Sequence, residues 1–371
     1  MKVRAMVCHA PGAPLVLEEL DLDPPAAGEV LIEIMASGLC HSDLGQIEGT
    51  AAPFPFPVVV GHEGAGIVRA TGPGVTGLAV GDHVVPLSLA ECGECTACQS
   101  GRTNLCDRFM AELGTQTPRF RLGGRPVATY AGVGSLAQFI VMPERNVARI
   151  RADVPFHLAC TVGCAVATGV GAVRNTARVT PGTSVAVFGL GGIGLNVVQG
   201  VRLAGAAVII GVDRNPAREA SAAAFGLTHF IPADGPDPVT AIRTLTAGGA
   251  DFSFECVGST RTMQQALSAT RPGWGCCTVL GVPPDGEALA IIPFELQLGR
   301  TLLGSFMGNI KGRSELPGLL DLFASGQLNL ADLVTHRLPM AEANTGFTLM
   351  KSGAALRVVV SYRELTCSPE M

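Results

Sequence analysis

Four cysteines stand close together in the chain, at Cys92, Cys95, Cys98 and Cys106. Two residues separate each of the first three, so four thiolates can surround one tetrahedral ion. The alternative is a chance cluster of free thiols in a loop. Because four thiolates leave no open coordination position, we predict a structural zinc ion that holds together a lobe around residues 92–106.

Other residues of metal-ligand type are dispersed along the chain, at Cys40, His62, Glu63 and Cys164. Taken alone, each is typical of an ordinary core residue, and their spacing assigns no role to them. The remaining cysteines are interpreted as core residues on the same ground: Cys8, Cys160, Cys256, Cys276, Cys277 and Cys367.

A glycine-rich turn follows the apolar run Ser184–Phe188 and precedes a helix-like segment, Leu195–Leu203. Its glycines are Gly189, Gly191, Gly192 and Gly194, with Ile193 among them. Between a strand and a helix, and followed by Asp213 at the end of the next apolar run, this turn predicts a dinucleotide site. Glycines allow the backbone to approach a pyrophosphate at the helix N-terminus. Asp213 would bind the adenosine ribose and repel a 2′-phosphate, which favours NAD over NADP.

The elements that must position these residues fall into two groups. Before about residue 166, Gly and Pro interrupt short β-rich runs, a pattern that predicts a mostly antiparallel β domain. From about 167 to 308, apolar runs alternate with Ala-rich segments of helix length, which predicts a parallel sheet covered on both faces. We therefore predict an α/β chain. A β-rich domain spans 1–166 and 309–371, and a doubly wound Rossmann domain with the dinucleotide site spans 167–308.

Composition excludes several classes of function. The chain has 371 residues, of which 47% are apolar and 15% charged, with a formal net charge of -5. No apolar run approaches the ~18 residues of a membrane span, and no N-terminal stretch has the pattern of a secretory signal. We expect a soluble cytoplasmic protein with no membrane partner. Lys and Arg are scattered, which argues against nucleic acid and favours a small-molecule partner.

The motifs together resemble a known family. Gly61-His-Glu-Gly-Ala-Gly66, the cysteine quartet, the glycine-rich turn and Gly281-Val-Pro-Pro-Asp285 occur in the order found in zinc-containing alcohol dehydrogenases of the medium-chain dehydrogenase/reductase superfamily. The resemblance extends over essentially the whole chain. It implies a GroES-like catalytic domain, an NAD-binding domain and two zinc ions per chain.

The resemblance assigns the dispersed ligands to a catalytic zinc. Cys40, His62 and Cys164 are expected to bind the ion, which leaves a fourth position for water or the substrate oxygen. Glu63 is expected to lie beside the ion and to approach it during ligand exchange. Asp43 is expected to orient His62 and to raise its basicity.

Ser42 matches the residue of the family that accepts the proton of the alcohol. Several relatives have a histidine three residues later, which completes the proton relay, whereas this chain has Gly45. Proton release is therefore expected to use water, His41 or another route. His41 is assigned first to the cofactor, near the pyrophosphate.

The resemblance also implies further cofactor contacts. Thr168 and Ile193 are expected to press on one face of the nicotinamide, and the backbone of Val282 to meet its amide. Arg218 is expected to flank the adenosine, and Arg357 to reach the pyrophosphate from the last strand.

Two stretches bear on the substrate. Glutathione-dependent formaldehyde dehydrogenases have an acidic residue in the loop after the first zinc ligand and an arginine just beyond the quartet. Gly49–Pro53 and Phe109–Ala111 offer neither. Ser88 stands where some ethanol-using relatives have a larger Phe. We therefore predict hydride transfer between NAD and a primary alcohol or aldehyde, with room for aromatic or long-chain substrates.

Other functions remain open at this stage. They are a thiol-adduct formaldehyde dehydrogenase, an NADP-linked reductase, and a non-catalytic relative that only binds nucleotide. Family members pair their cofactor domains through the segment that corresponds to residues 291–306, so a homodimer is expected, with a tetramer as the alternative.

Overall fold

A computed structural model describes residues 1–112 and 117–362 of the chain. They divide into two compact units. The first contains Met1–Cys164, Lys311–Ser325 and the described residues from Leu330 onward. The second contains Ala165–Ile310 and Gly326–Asn329.

The short segment Gly326–Asn329 corrects the predicted domain limits, which placed it in the catalytic domain. Hydrogen bonds to helix residues explain its position in the second unit. The backbone N–H of Asn329 donates to Oε1 of Gln199 at 2.9 Å, and Arg202 donates to the carbonyl oxygen of Gln327 at 2.5 Å. The segment is thus fixed to the helix that follows the glycine-rich turn.

The first unit is rich in short strands. Its strands are β1 Lys2–Cys8, β2 Val16–Leu22, β3 Glu29–Gly38, β4 Val58–Val59, β5 Glu63–Thr71, β6 His83–Pro86, β7 Phe120–Leu122, β8 Arg125–Thr129, β9 Phe139–Pro143, β10 Val147–Arg149, β17 Val334–Pro339 and β18 Arg357–Ser361. Its helices are α1 His41–Glu48, α2 Thr96–Gln99, α3 Asp107–Glu112, α4 Phe156–Ala159, α11 Gly312–Ala324 and α12 Ala343–Lys351.

These strands form two sheets. One closes on itself in the order β1-β2-β7-β8-β4, and the other runs β10-β6-β5-β3-β18-β17, with β9 also paired to β3. Most pairs are antiparallel, as predicted, and β4 with β8 and β17 with β18 are parallel. Strand β3 shows the period of two that a half-buried strand requires, since Val30, Ile32 and Ile34 are fully buried between less buried neighbours.

The second unit is a doubly wound α/β fold. Its strands are β11 Ser184–Phe188, β12 Val208–Asp213, β13 His229–Pro232, β14 Phe252–Glu255, β15 Cys276–Val279 and β16 Thr301–Gly304. Its helices are α5 Ala165–Gly171, α6 Gly192–Leu203, α7 Arg218–Ala223, α8 Pro238–Leu245, α9 Thr260–Ser268 and α10 Pro293–Gln297.

All six strands of this sheet are parallel, in the order β13-β12-β11-β14-β15-β16. The order reverses between β11 and β14, and such a point is where open α/β sheets bind ligands at the carboxyl ends of their strands. The continuous burial of β11 and β12 explains why their sequences are apolar runs without alternation. The predicted GroES-like and Rossmann fold class is confirmed by the comparisons given below.

Among the described residues, no single helix is long and apolar enough to cross a membrane. One bent pair of short helices, Phe156–Gly163 with Ala165–Ala177, meets the length and composition criteria only when the two are taken together.

Candidate active site and zinc sites

The four cysteines of the quartet form a compact cluster in the lobe at residues 92–106, which contains α2. The Sγ atoms of Cys92 and Cys98 lie 3.9 Å apart, and those of Cys95 and Cys106 lie 4.0 Å apart. Zinc–sulfur bonds near 2.3 Å give tetrahedral edges of about 3.8 Å. The four sulfurs therefore fit one zinc ion, and they are too far apart to be disulfides.

Backbone hydrogen bonds and burial change the pKa values of these thiols. The N–H groups of Glu94 and Cys95 donate to the Sγ of Cys92, at 3.5 and 3.3 Å, and lower the pKa of this thiol to about 6. Burial raises the pKa of Cys98 to about 12. Zinc binding would hold all four sulfurs as thiolates, because the metal replaces the proton.

A second cluster brings together the dispersed ligands. One ligand atom each from Cys40, His62, Glu63 and Cys164 lies within 4.8 Å of every other. Cys40 caps α1 where β3 has ended, and His62 and Glu63 stand where β5 begins. Cys164 follows a short 3₁₀ turn. Two thiols and an imidazole with one position left over are the donor set of a catalytic zinc site.

Charge at this cluster also suits a cation. The hydrogen bond with the Cys164 thiol lowers the pKa of Cys40 well below its usual value, against the effect of burial. Burial disfavours a protonated His62, but the charge of Asp43 and the hydrogen bond to it raise the pKa of His62 well above its usual value. A bound cation would displace the proton from this imidazole. The residues present therefore fit the zinc ion that the resemblance implied.

Asp43 lies in α1 and holds two residues of the catalytic cluster, Cys40 and His62, by hydrogen bonds. It is fully buried, and its Oδ1 accepts hydrogen bonds from the backbone N–H of Gly61 at 2.9 Å and from Nδ1 of His62 at 3.0 Å. Its Oδ2 accepts the backbone N–H of Cys40 at 3.2 Å. One carboxylate thus positions two of the predicted ligands, and the hydrogen bond to Nδ1 leaves Nε2 of His62 available to a metal.

Ser42 lies beside the same cluster. Its hydroxyl is 3.4 Å from Sγ of Cys40 and 3.4 Å from Nε2 of His62. Tyr130, which the sequence reasoning missed, hydrogen-bonds to Ser42 and packs edge-on against the His62 ring, with centroids 5.8 Å apart. Phe54 also packs edge-on against Tyr130, with ring centroids 5.8 Å apart. A single tyrosine outside any motif gives no sequence signal for such a contact.

Glu63 and Arg357 form a buried ion pair, in which a guanidinium N–H of Arg357 donates to Oε2 of Glu63. Among the described residues, Oε1 of Glu63 and Nε of Arg357 have no hydrogen-bond partner. The free Oε1 is the oxygen that a nearby cation could use. The predicted contact of Arg357 with a pyrophosphate stays a prediction, and the structure adds Glu63 as its partner.

The glycine-rich turn has the form of a phosphate-binding turn. Gly189 has a φ of +89°, and a Cβ on Gly194 would meet the carbonyl oxygen of Gly189 at 1.7 Å, so neither position tolerates a side chain. Gly191 faces open space just before α6. Asp213 at the end of β12 accepts the backbone N–H of Leu190 at 2.7 Å, which ties the turn to the next strand. This geometry suits the pyrophosphate of a dinucleotide.

The other predicted cofactor residues lie in both units. In the second unit, Thr168 is buried in α5, Ile193 lies in the first turn of α6, Val282 is 84% exposed after β15, and Arg218 begins α7. Arg218 is half-buried, and burial lowers its pKa while the charge of Asp213 opposes the shift. In the first unit, His41 begins α1 and is exposed. Their contacts with NAD stay predictions.

The cysteines assigned to the core are placed as follows. Cys8, Cys160 and Cys277 are buried, and Cys256 and Cys276 are partly buried. Cys367 lies outside the described residues. The described ones belong to neither metal cluster.

Together, the two-unit fold, the four-thiolate cluster and the Cys₂His cluster define a zinc-dependent dehydrogenase. Residues 26–155 match the family model of the alcohol dehydrogenase GroES-like domain, and residues 192–325 match that of the zinc-binding dehydrogenases. The chain belongs to the zinc-containing alcohol dehydrogenases of the medium-chain dehydrogenase/reductase superfamily. The predicted enzyme class and its zinc and NAD cofactors are thereby confirmed.

Three relatives illustrate the similarity. An S-(hydroxymethyl)glutathione dehydrogenase of Paracoccus denitrificans is 44% identical, over 98% of this chain and 100% of the relative. The crystal structures of an alcohol dehydrogenase zinc-binding domain protein from Burkholderia ambifaria and of benzyl alcohol dehydrogenase from Acinetobacter calcoaceticus superpose with TM-scores of 0.93 and 0.91. They are 34% and 32% identical, and each alignment covers 98% of this chain and 100% of the other.

Proposed function

We propose that this enzyme oxidises the hydroxymethyl group of a thiol adduct of formaldehyde, of the S-(hydroxymethyl)glutathione type, with NAD as the hydride acceptor. The observation that carries the proposal is the 44% identity, over essentially the full length of both chains, to a dehydrogenase named for that substrate. The residues alone favour a bulky primary alcohol, with the thiol adduct as the alternative. The relatives favour the alternative.

The reaction removes a hydride and a proton from one carbon–oxygen unit. A zinc ion held by Cys40, His62 and Cys164 would lower the pKa of a bound hydroxyl, so that an alkoxide could exist near neutral pH. The hydroxymethyl carbon loses its hydride to NAD and becomes a formyl group, here an S-formyl thioester. Ser42 is placed by its contacts with Cys40 and His62 to accept the hydroxyl proton. Asp43 keeps His62 in the required orientation.

An adduct of glutathione brings carboxylates that need a cation. Phe109–Ala111 has none, but Arg108 in α3 and Arg145 nearby both bind the carboxylate of Glu112, at 3.0 and 2.5 Å. Asp107 and Glu144 stand next to these two arginines in the chain, so the group as a whole carries no excess of positive charge. The proposal therefore rests on the relatives and not on a cation of this group.

A second candidate is an aromatic or long-chain primary alcohol. The loop at Gly49–Pro53 has no acidic residue, Ser88 is small, and a benzyl alcohol dehydrogenase is among the structural relatives. Both candidates use the same zinc site, so they differ only in the rest of the substrate pocket.

A substrate panel separates the two. The measurement is kcat/KM with NAD for formaldehyde plus glutathione, benzyl alcohol, octanol and ethanol, with NADP and omission of the thiol as controls. We expect the adduct to give the highest value and activity with formaldehyde to require the thiol. A benzyl alcohol value above that of the adduct would reject the main proposal in favour of the second candidate. Cys164→Ala should abolish turnover of every substrate, whereas Cys160→Ala, another buried cysteine nearby, should retain it.

The quaternary structure is also a proposal. Among the described residues, β16 is the last strand of the second unit's sheet and pairs on one side only, with β15. Ile292 and Phe294, which precede it in the chain, are 68% and 62% exposed. Exposed strand edges with apolar neighbours are natural pairing surfaces. We propose a homodimer formed through residues 291–306.

A further inference from the structure

Glu255 is a fully buried acidic residue of the second unit that the mechanism above does not use. It is the last residue of β14, the strand next to β11 at the point where the strand order reverses. Burial of a carboxyl group is costly unless hydrogen bonds compensate for the lost water. Among the described residues, Oε1 of Glu255 is hydrogen-bonded and Oε2 has no hydrogen-bond partner. Its contacts therefore indicate what it does.

One oxygen of Glu255 gathers three donors. Its Oε1 accepts the backbone N–H groups of Val257 and Gly258, both at 2.9 Å, and the hydroxyl of Thr262 at 2.7 Å. The first two belong to the loop that follows β14, and Thr262 lies in the first turn of α9. This side chain thus folds the loop back and joins it to the next helix.

The backbone of the same residue reaches the neighbouring strand. Its carbonyl oxygen accepts the N–H groups of Leu280 and Gly281, at 2.9 and 3.0 Å, just beyond the end of β15. Glu255 therefore links two adjacent loops at the carboxyl edge of the sheet, one after β14 and one after β15.

These loops have little freedom to move independently. A Cβ on Gly258 would lie 2.5 Å from the carbonyl oxygen of Val282, and one on Gly281 would lie 2.6 Å from Oε2 of Glu255. On the other side, a Cβ on Gly189 of the glycine-rich turn would lie 2.8 Å from Cγ2 of Val257. Any shift at Glu255 is therefore transmitted both to Val282 and to the edge of the phosphate-binding turn.

The strand order tells which part of the cofactor these loops face. In a doubly wound fold each half of the sheet binds one mononucleotide. The half with β11, β12 and Asp213 carries the adenosine features, so the half with β14, β15 and β16 receives the nicotinamide nucleotide. Glu255 belongs to this second half.

We propose that Glu255 is a positioning residue that fixes the nicotinamide end of the cofactor site by holding the loops 256–258 and 280–282 together. The inference rests on the use of NAD in the proposed function. It assigns Glu255 no contact with the cofactor, and it predicts that binding of the adenosine half is independent of this residue.

The experiment measures binding rather than turnover. Isothermal titration calorimetry on the zinc-loaded protein gives Kd for NAD and for ADP, which carries only the adenosine half and its phosphates. In Glu255→Gln the side chain keeps its size, but a neutral amide oxygen is a weaker acceptor for the three donors. We expect NAD to bind at least about tenfold more weakly and ADP to bind within about twofold of the unaltered protein.

Two further variants keep the test decisive if Glu255→Gln folds poorly. Thr262→Val removes one of the three donors and should give a smaller selective loss of NAD affinity, and Thr262→Ser should restore it. Asp251→Asn is the matched control. Asp251 hydrogen-bonds to Ser184 and Trp274 at the amino ends of the strands, whereas Glu255 lies at their carboxyl ends. This control should lower the melting temperature without changing the ratio of the two Kd values.

The outcomes separate this inference from the proposed function. Unaltered protein that binds ADP but not NAD would reject the NAD-dependent function and the inference with it. Unaltered protein that binds NAD, with Glu255→Gln and Thr262→Val binding it equally well, would reject only the role of Glu255. Equal weakening of NAD and ADP would also reject it, because a general loss of structure affects both halves.

Discussion

Replacing Asp43 by asparagine should selectively weaken the Cys₂His zinc site. Asp43 accepts hydrogen bonds from three donors, two at Oδ1 and one at Oδ2. An asparagine that keeps its oxygen toward Gly61 and His62 turns its NH₂ group toward the N–H of Cys40, and the opposite orientation is worse. At least one donor therefore loses its acceptor in a fully buried place.

The magnitude follows from these contacts. A hydrogen bond to a charged group contributes about 1.5–3 kcal/mol, and a buried donor left unpaired costs about 1–3 kcal/mol. These two quantities overlap, so we expect the free energy of unfolding to fall by about 2–4 kcal/mol. Loss of an outer carboxylate that orients a histidine ligand typically lowers metal affinity by about 10–100-fold.

The assay is zinc retention against a graded series of a chelator, followed by metal analysis, with urea unfolding in parallel. Asp43→Asn should retain one zinc ion at chelator concentrations where the unaltered protein retains two, because the cysteine quartet does not involve Asp43. Asp82→Asn is the control, since Asp82 accepts one backbone N–H, from Ala79 at 2.9 Å, at the surface. Equal zinc retention and an equal urea midpoint in Asp43→Asn would refute the idea that this carboxylate holds the site.

Three further predictions concern other parts of the chain. Cys98→Ser should lower the zinc content from two ions to one and should speed proteolysis of the lobe at residues 92–106. Metal analysis and timed digestion test this, and the control Cys276→Ser should change neither quantity. Asp213→Asn should raise the ratio of kcat/KM with NADP to that with NAD by about tenfold or more, because it removes the charge that repels a 2′-phosphate; an unchanged ratio in steady-state kinetics would contradict this role. Phe294→Glu should convert the proposed dimer to monomers in light scattering coupled to size-exclusion chromatography, while Val80→Glu, another exposed apolar position, should leave the mass unchanged.

The features predicted best from the sequence are local in the chain. The quartet closes around one point because its ligands are joined by short segments, so spacing alone predicts its geometry. The glycine-rich turn is likewise read from the strand before it and the helix after it, and α6 begins at Gly192 as the turn requires. Strands β13 and β16 have only four residues each, and such short segments give a weak signal in the sequence.

The catalytic cluster could not be predicted from spacing, since tertiary folding brings its ligands together. Cys40 and His62 come from separate elements of one unit, and Cys164 lies a hundred residues further along the chain. Only the resemblance to a family identified them. Tertiary packing also determines the partners of Arg357 and Tyr130. Arg357 forms an ion pair with Glu63, and Tyr130 contacts Ser42 and His62.

Substrate choice is the part of the function on which sequence and structure argue differently. The sequence has no arginine at Phe109–Ala111, the stretch where the glutathione-dependent relatives are expected to have one. Charge in a folded protein acts by position in space, and Arg108 and Arg145 come from different segments to meet on Glu112. An anionic thiol adduct does not need a particular position in the chain to be recognised; it needs an accessible cation whose existing partner leaves part of its charge uncompensated. With Asp107 and Glu144 adjacent in the chain to Arg108 and Arg145, this group does not by itself supply that charge. The full-length identity to a dehydrogenase of such an adduct is therefore the observation that favours the adduct.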